Sequence, residues 1–358
     1  MTSHGQKNKL RSESAKSKWT NAEALFRKEK RIVKSKTDAL FIIACLFIVF
    51  LLPLYTSRYV IYIGTLVLIN IIAVLGLNLL GSTGQVSIGH GAFMAIGAYI
   101  TAILCHTYHV SFWIAFLVAT GITGIIGVFI AFPALRLKEM YLAMVTFSFN
   151  LILYLIIAGL KITGGFLGLN VPKPRIGSII LNTEWQLYYL TLLAVFLFLF
   201  FTINLSRTRI QRAFTAIRVR EISAQAMGIS LWGYKTLAFL LASIYAGASG
   251  SLLAVTLGHI TPNNFTVIIS IEFIMMLLVG GPGSIVGVIL GTMLITMLPF
   301  FLMFLTQALS SYFPILIVQF ANLKIMIYGV ILIVFLIYFP GGFQGMLMKF
   351  SGYFQRRP

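Results

Sequence analysis

Acidic residues are scarce: eight Asp and Glu stand against 27 Lys and Arg in 358 residues, and charged residues make up 10% of the chain. A soluble domain carries roughly a quarter charged residues, so a water-covered globule is excluded. Cysteine is scarcer still. Cys45 and Cys105 both lie in apolar runs, which suggests buried thiols rather than a disulfide framework or a metal site. No GxxxxGK[ST] segment is present, so the chain has no P-loop with which to hold ATP, and no cofactor signature replaces it. The eight acids lie mostly in the leading tail or at loops. No Ser-His-Asp set or carboxylate pair can be assembled from them, which argues against an intramembrane enzyme. His106 and His109 are three apart, but with no carboxylate or Cys beside them they read as a loop pair rather than metal ligands.

What is abundant is apolar length. Hydrophobic residues reach 59% and the mean hydropathy is +0.96. Between residues 40 and 348 charge nearly vanishes while long apolar runs recur. Such runs suit lipid, and their lack of a two-residue alternation makes them helices rather than barrel strands. The pattern predicts an all-α polytopic membrane protein with about ten transmembrane helices. They fall near 39–56, 59–80, 88–106, 111–135, 140–159, 187–205, 236–256, 265–280, 284–306 and 324–340. The short Gly-rich connections at 81–87 and 281–284 suggest broken or re-entrant crossings rather than clean hairpins.

A net charge of +19 could suggest nucleic acid, but its placement does not. Eleven of the 27 basic residues fall in the first 36 positions and much of the rest flanks apolar runs, a pattern of membrane topology. With both termini in the cytosol, the inner side holds 22 basic residues, including Arg136, Lys138, Arg207, Arg209, Arg212, Arg218, Arg220 and Lys235. The outer side holds five: Arg58, Lys161, Lys173, Arg175 and Lys324. The positive-inside rule expects such a split.

The organisation is then a basic cytosolic tail (1–38), a transmembrane domain (39–348) with an inner loop at 206–235, and a short cytosolic C-terminal tail (349–358). The leading polar segment is too long for a cleavable signal peptide, and no small-residue cleavage site follows the first span. Thr20 and Glu23 have capping-box spacing. Ahead of the first span, apolar Leu25, Phe26, Ile32 and Val33 oppose a face of Lys and Arg. A basic helix on the anionic inner leaflet and a solvated tail that fixes topology both fit. Outside the membrane no segment exceeds about 40 residues, marginal for an independent core.

Polar groups inside the membrane mark candidate sites. The stretch Gly76-Leu77-Asn78-Leu79-Leu80-Gly81-Ser82-Thr83-Gly84-Gln85-Val86-Ser87-Ile88-Gly89-His90-Gly91 sets glycines, amides, hydroxyls and an imidazole between two apolar spans. A helix broken here would expose backbone polar groups, tolerable only in a cavity or inside protein. Two readings stand: Asn78, Gln85, Ser87 and His90 border the substrate pathway, or they glue helices together. Glu272 is the one acid within a predicted span away from its ends. It suits a substrate contact, a proton site or, preferred here for want of a basic partner, a structural anchor. Gly283, Gly287 and Gly291 recur every four residues. That stripe, Gly121/Gly124/Gly127 and Ala246-Gly247-Ala248-Ser249-Gly250 all read as small-residue packing faces.

The inner loop reads Arg212-Ala213-Phe214-Thr215-Ala216-Ile217-Arg218-Val219-Arg220-Glu221-Ile222-Ser223-Ala224-Gln225-Ala226-Met227-Gly228-Ile229. Helix formers run up to Gly228, which suits a left-handed helix stop with Ile229 behind it. A short, partly apolar helix in the cytosol can dock on a partner. Together with GLNLLGSTGQVSIGHGAFMAIGAY, ITGGFLGL and LLVGGPGSIVG, this loop resembles the permease subunits of branched-chain amino acid ABC importers. The form GQVSIGHGAF resembles their M-type (LivM) permeases rather than the H-type companions. The resemblance runs from about residue 60 to residue 345. It implies a permease of the bacterial cytoplasmic (inner) membrane, paired with an H-type permease subunit. Two ATP-binding ATPase subunits would sit below it, and an extracytoplasmic substrate-binding protein would deliver ligand. It also implies that Arg218, Glu221, Ala224 and Gly228 belong to an ATPase-coupling loop, although Ser223 and Gln225 depart from the family's usual EIAAEALGI.

Related permeases carry urea or short amides, so the substrate stays open between these and hydrophobic amino acids. The main rival class is a secondary transporter driven by an ion gradient, for which Glu272 is the one midplane candidate. Glu272→Gln separates them in an uptake assay: abolished transport supports ion coupling, and retained transport removes it.

Overall fold

The structure, a computed structural model, describes residues 50–134, 139–176, 179–309, 320–338, 342–343 and 345. The expected basic tail, most of the expected first span and the C-terminal tail lie outside the described residues. Phe50–Tyr55 are helical and belong to a first unit, Met1–Thr56; everything below concerns the second, Ser57–Pro358.

Eleven α-helices are described in this unit: α1 Arg58–Gly81, α2 His90–His106, α3 Phe112–Ala134, α4 Glu139–Gly159, α5 Glu184–Ser206, α6 Arg209–Val219, α7 Glu221–Ala226, α8 Leu231–Leu257, α9 Val267–Gly280, α10 Ile285–Leu309 and α11 Phe320–Tyr338. All but α6 and α7 match the predicted apolar runs after the first. Seven candidate membrane spans are long and apolar enough to cross a bilayer. The helix His90–His106 and the apolar stretch Ile325–Phe335 are shorter, so the count of ten is not reached among the described residues.

Burial sorts the helices into centre and periphery. In α8 and α1, 78% and 72% of the apolar window is buried, against 28% in α4 and 33% in α3, α5 and α10. The centre is made possible by missing side chains. A Cβ on Gly97 of α2 would strike the Gly247 carbonyl of α8, one on Gly250 would strike the Met94 carbonyl, and one on Gly76 of α1 would meet Tyr245. Lipid tails are as apolar as Leu, so helix association here rests on close approach and interhelical hydrogen bonds. Thr101 Oγ1 of α2 donates to Ser251 Oγ of α8 at 2.8 Å. Phe93, Ile96 and Ala246 form a buried cluster at the same junction, with Ile126, Ile130, Phe149 and Leu153 packed around it.

The three predicted small-residue stripes divide. The α8 stripe packs on α2 and α3. Gly287 and Gly291 of α10 interlock with the Gly280 backbone of α9, while Gly283 sits in the preceding turn with φ +98°. Gly124 and Gly127 of α3 press on Ile244 and Ser243, whereas Gly121 has nothing within 4 Å of its Cβ position.

Connections cluster by side as the alternation of spans requires. On one side, β1 (Leu169–Asn170) pairs antiparallel with β4 (His259–Ile260), and β2 (Arg175–Ile176) with β3 (Ile179–Ile180). There Lys173 Nζ donates to the Val255 carbonyl at 3.1 Å, Trp113 Nε1 to the Arg175 carbonyl at 3.0 Å, and Tyr154 Oη to Asn263 Oδ1 at 3.0 Å. On the opposite side, the turns after α1 and α9 meet the α6–α7 loop.

Gly250→Val places a methyl-bearing Cβ against the Met94 backbone and is expected to destabilise the protein by about 2 kcal/mol. Gly121→Ala, with open space, is expected to be neutral or mildly stabilising. Thermal unfolding of the purified membrane protein in detergent checks both.

Candidate functional site

Two polar constellations interrupt the apolar bundle, and both hang on the break between α1 and α2. The α1 helix runs 24 residues, about 36 Å at 1.5 Å per residue. The α2 helix does not begin level with its end. His90 Nε2 donates to the Ala73 carbonyl at 2.7 Å, and Ala73 lies eight residues before Gly81, about 12 Å along α1. Residues 82–89 therefore double back into membrane depth, the re-entrant geometry expected from their composition.

Backbone groups at that depth need partners inside the protein, and side chains supply them. Ile88 N donates to Thr146 Oγ1 at 3.0 Å, Gly89 N to Ser87 Oγ at 3.3 Å and Gly91 N to Ser270 Oγ at 2.9 Å. Asn150 Nδ2 donates to the same Ser270 oxygen at 2.6 Å. The His90 ring stands edge-on to Phe273, with centroids 5.7 Å apart. Glycine is required at the start of α2: a Cβ on Gly89 would lie 2.7 Å from the Thr146 carbonyl oxygen, and one on Gly91 2.7 Å from Ser270 Oγ.

The second constellation sits at the end of α1. Asn78 Oδ1 accepts the Gly283 N–H at 2.7 Å, joining α1 to the turn between α9 and α10. Arg218 Nη1 of α6 donates to the Pro282 carbonyl in that turn at 3.1 Å. The Gly84 turn, at φ +83°, lies against the Arg218 backbone, its Cβ position 3.5 Å from the Arg218 Cα. One arginine thus touches both Gly-rich turns.

Around it the inner loop folds as α6 and α7. Ala213, Phe214 and Ile217 are buried on α6 and Ala224 on α7. Gly228 adopts φ +80°. Its N–H reaches the Gln225 carbonyl at 3.0 Å and the Ile229 N–H reaches the Ala224 carbonyl at 3.1 Å, the hydrogen-bond pair of a Schellman stop. Glu221 faces inward, its Oε1 held at 2.6 Å by Lys235 Nζ of α8, a lysine side chain only 11% exposed. Ile222 on α7 and Met227, the residue that caps its C-terminus, are 83% and 72% exposed.

The candidate residues therefore fall in three places. Ser87 and His90 join the start of α2, with Gln85 buried just before it and its Oε1 3.4 Å from Thr83 Oγ1. Asn78 and Arg218 meet at the Pro282–Gly283 turn, beside the loop of Glu221, Ala224 and Gly228. Asn78, Gln85, Ser87 and His90 are all at most 4% exposed and in this conformation bond within the chain. Glu272 stands apart: on α9 it is about 200° around from Ser270, toward the Tyr328 hydroxyl of α11, with which it interacts electrostatically. Thr146, Asn150 and Ser270 were missed by sequence reasoning; the available signal was an amide and hydroxyls inside apolar spans 140–159 and 265–280. Among the described residues no group of three or more His, Cys, Asp or Glu could hold a metal.

A mainly helical bundle of lipid-length spans, broken by a re-entrant turn and carrying a helical loop on one side, defines a polytopic membrane permease. The family described as branched-chain amino acid transport system / permease component matches residues 59–336, and the chain belongs to it. It is 34% identical over 282 residues to the high-affinity branched-chain amino acid transport system permease protein LivM of Escherichia coli (strain K12), covering 72% of this chain and 66% of that one. The LivM of Salmonella typhimurium matches to the same extent. A probable branched-chain amino acid transport permease protein LivM of Methanocaldococcus jannaschii is 26% identical over 182 residues, 50% of this chain and 53% of that one. The match thus spans just under two thirds of the length of the first two relatives. No solved structure matches the chain.

Arg218→Gln removes a charge-assisted bond between loop and turn. The expected result is amide hydrogen exchange about fivefold faster across residues 209–226, the equivalent of about 1 kcal/mol, with the spans unchanged.

Proposed function

We propose that this chain is the M-type permease subunit of an ABC importer for branched-chain and related hydrophobic amino acids. It carries no chemistry of its own: separate ATPase subunits hydrolyse ATP, an H-type permease completes the membrane unit, and an extracytoplasmic binding protein delivers the ligand. The setting is the bacterial cytoplasmic membrane, with both termini cytosolic, as the basic-residue split supports.

The observation that carries this reading is the way the α6–α7 loop is mounted. Ile222 on α7 and Met227 just after it are exposed beside the basic residues of the loop, while Ala224, opposite Ile222 on α7, is buried. Exposed apolar side chains on a rigid helix mark a protein contact, and a partner ATPase of complementary shape covers them. Glu221 and Arg218 act as mounts rather than contacts: the Lys235 pair pins α7 to α8, and Arg218 pins α6 to the α9–α10 turn. Gly228 ends the helix.

A partner that grips the loop more tightly in one nucleotide state biases which arrangement of the spans is occupied. Its route inward is Arg218, the Pro282–Gly283 turn and Asn78, at the foot of the re-entrant segment. Gln85, Ser87 and His90 form the wall and hinge beside the pathway. Glu272, turned toward Tyr328, anchors α9 to α11 and does not couple an ion.

Replacing Ile222 and Met227 together with Asp is expected to abolish co-purification of the ATPase subunits and ATP-driven uptake in proteoliposomes, while the permease pair stays assembled. Full retention of the ATPases overturns the docking assignment.

A further inference from the structure

The start of α2 is a helix N-terminus buried at membrane depth, and beside it is a polar atom without a bond. Asn150 of α4 is 1% exposed. Its Nδ2 is spent on Ser270 Oγ at 2.6 Å, the atom that also takes the Gly91 N–H. Its Oδ1 has no hydrogen-bond partner among the described residues. The amide lies 3.4 Å from the Gly91 Cβ position. Exchanging the two amide atoms leaves one of them equally orphaned. A buried amide oxygen that the chain does not satisfy, beside a helix start whose Gly91 N–H is met only by a side-chain hydroxyl, is an arrangement that a polar ligand completes.

From this we propose that the start of α2, Asn150 and Ser270 form the membrane-depth binding site for a zwitterionic amino acid with an aliphatic side chain. The assignment rests on the transport reading above and locates its substrate. The carboxylate takes the Gly91 N–H at the positive end of α2 in place of Ser270 Oγ. The ammonium donates to Asn150 Oδ1. Two residues past Gly91, Phe93 packs at a tilt against Phe149 of α4 with ring centroids 5.3 Å apart, in a buried cluster with Ile96 and Ala246, which gives a branched hydrocarbon tail an apolar neighbour.

The site is closed in this structure. The Thr146 backbone presses on Gly89 and Ser270 of α9 on Gly91, so a ligand enters only when α4 and α9 move off the start of α2. α4 is the least buried of the seven candidate spans and meets the segment before α2 through Thr146, which takes the Ile88 N–H; Asn150 on the same helix offers the ligand its Oδ1.

The test uses the complete transport complex in proteoliposomes, with labelled leucine outside and ATP on the cytosolic side. Asn150→Leu is expected to lower leucine uptake at least tenfold while ATPase activity stimulated by the loaded binding protein persists. In a chain carrying Cys45→Ser and Cys105→Ser, Thr146→Cys is expected to react with a small maleimide during turnover. Leucine is expected to slow that reaction, and isoamylamine, the same skeleton without the carboxylate, is expected not to. Asn150→Leu uptake within twofold of wild type, or equal protection by leucine and isoamylamine, overturns the site. A wild-type complex that moves no amino acid overturns the transport reading itself.

Discussion

Backbone polarity in an apolar solvent is the constraint on which this structure depends. Within lipid an unmatched N–H or carbonyl costs several kcal/mol, so a chain that leaves the helix at membrane depth must bring its own partners. Residues 82–89 do so with Ser87, Thr146, Ser270 and the carbonyls at the end of α1. Thr146, Ser270 and those carbonyls sit on three different helices, α4, α9 and α1. The break therefore fixes α1, α4 and α9 relative to α2, and a shift in any of them is felt at the start of α2.

The tight centre follows from the same solvent. With no hydrophobic drive between helices, α8 is held by contact and hydrogen bonding, and glycine, alanine and serine bring the backbones close enough for both. Peripheral helices interlock on one face only, α3 through Gly124 and Gly127 and α10 through Gly287 and Gly291, and show large apolar side chains such as Leu117, Phe129, Leu155 and Phe200 outward. The bundle thus has a deeply buried centre and a rim less buried around it. The inner loop joins the two, because Arg218 reaches the α9–α10 turn while Lys235 of the central helix holds Glu221.

The sequence by itself determined the solvent and the helices, because these follow from composition and from the length of apolar runs. It also determined the Gly228 stop, since hydrogen bonds within one turn of helix depend on neighbours in sequence. It marked 81–87 as irregular, because glycines beside amides and hydroxyls suit neither lipid nor a plain helix.

Only the tertiary structure decided which polar groups meet. Glu221 lies 14 residues from Lys235, and nothing in the loop's composition says that it turns inward to that lysine rather than outward to a partner. Glu272 has the residue type of a site but faces away from the α2 start, a matter of helix rotation set by packing. Asn150 and Ser270, 120 residues apart, each read as an ordinary polar residue in an apolar span. They gain meaning from a helix that begins about 12 Å above the end of its predecessor, and that depth is fixed by the contact of His90 with Ala73 rather than by any local pattern.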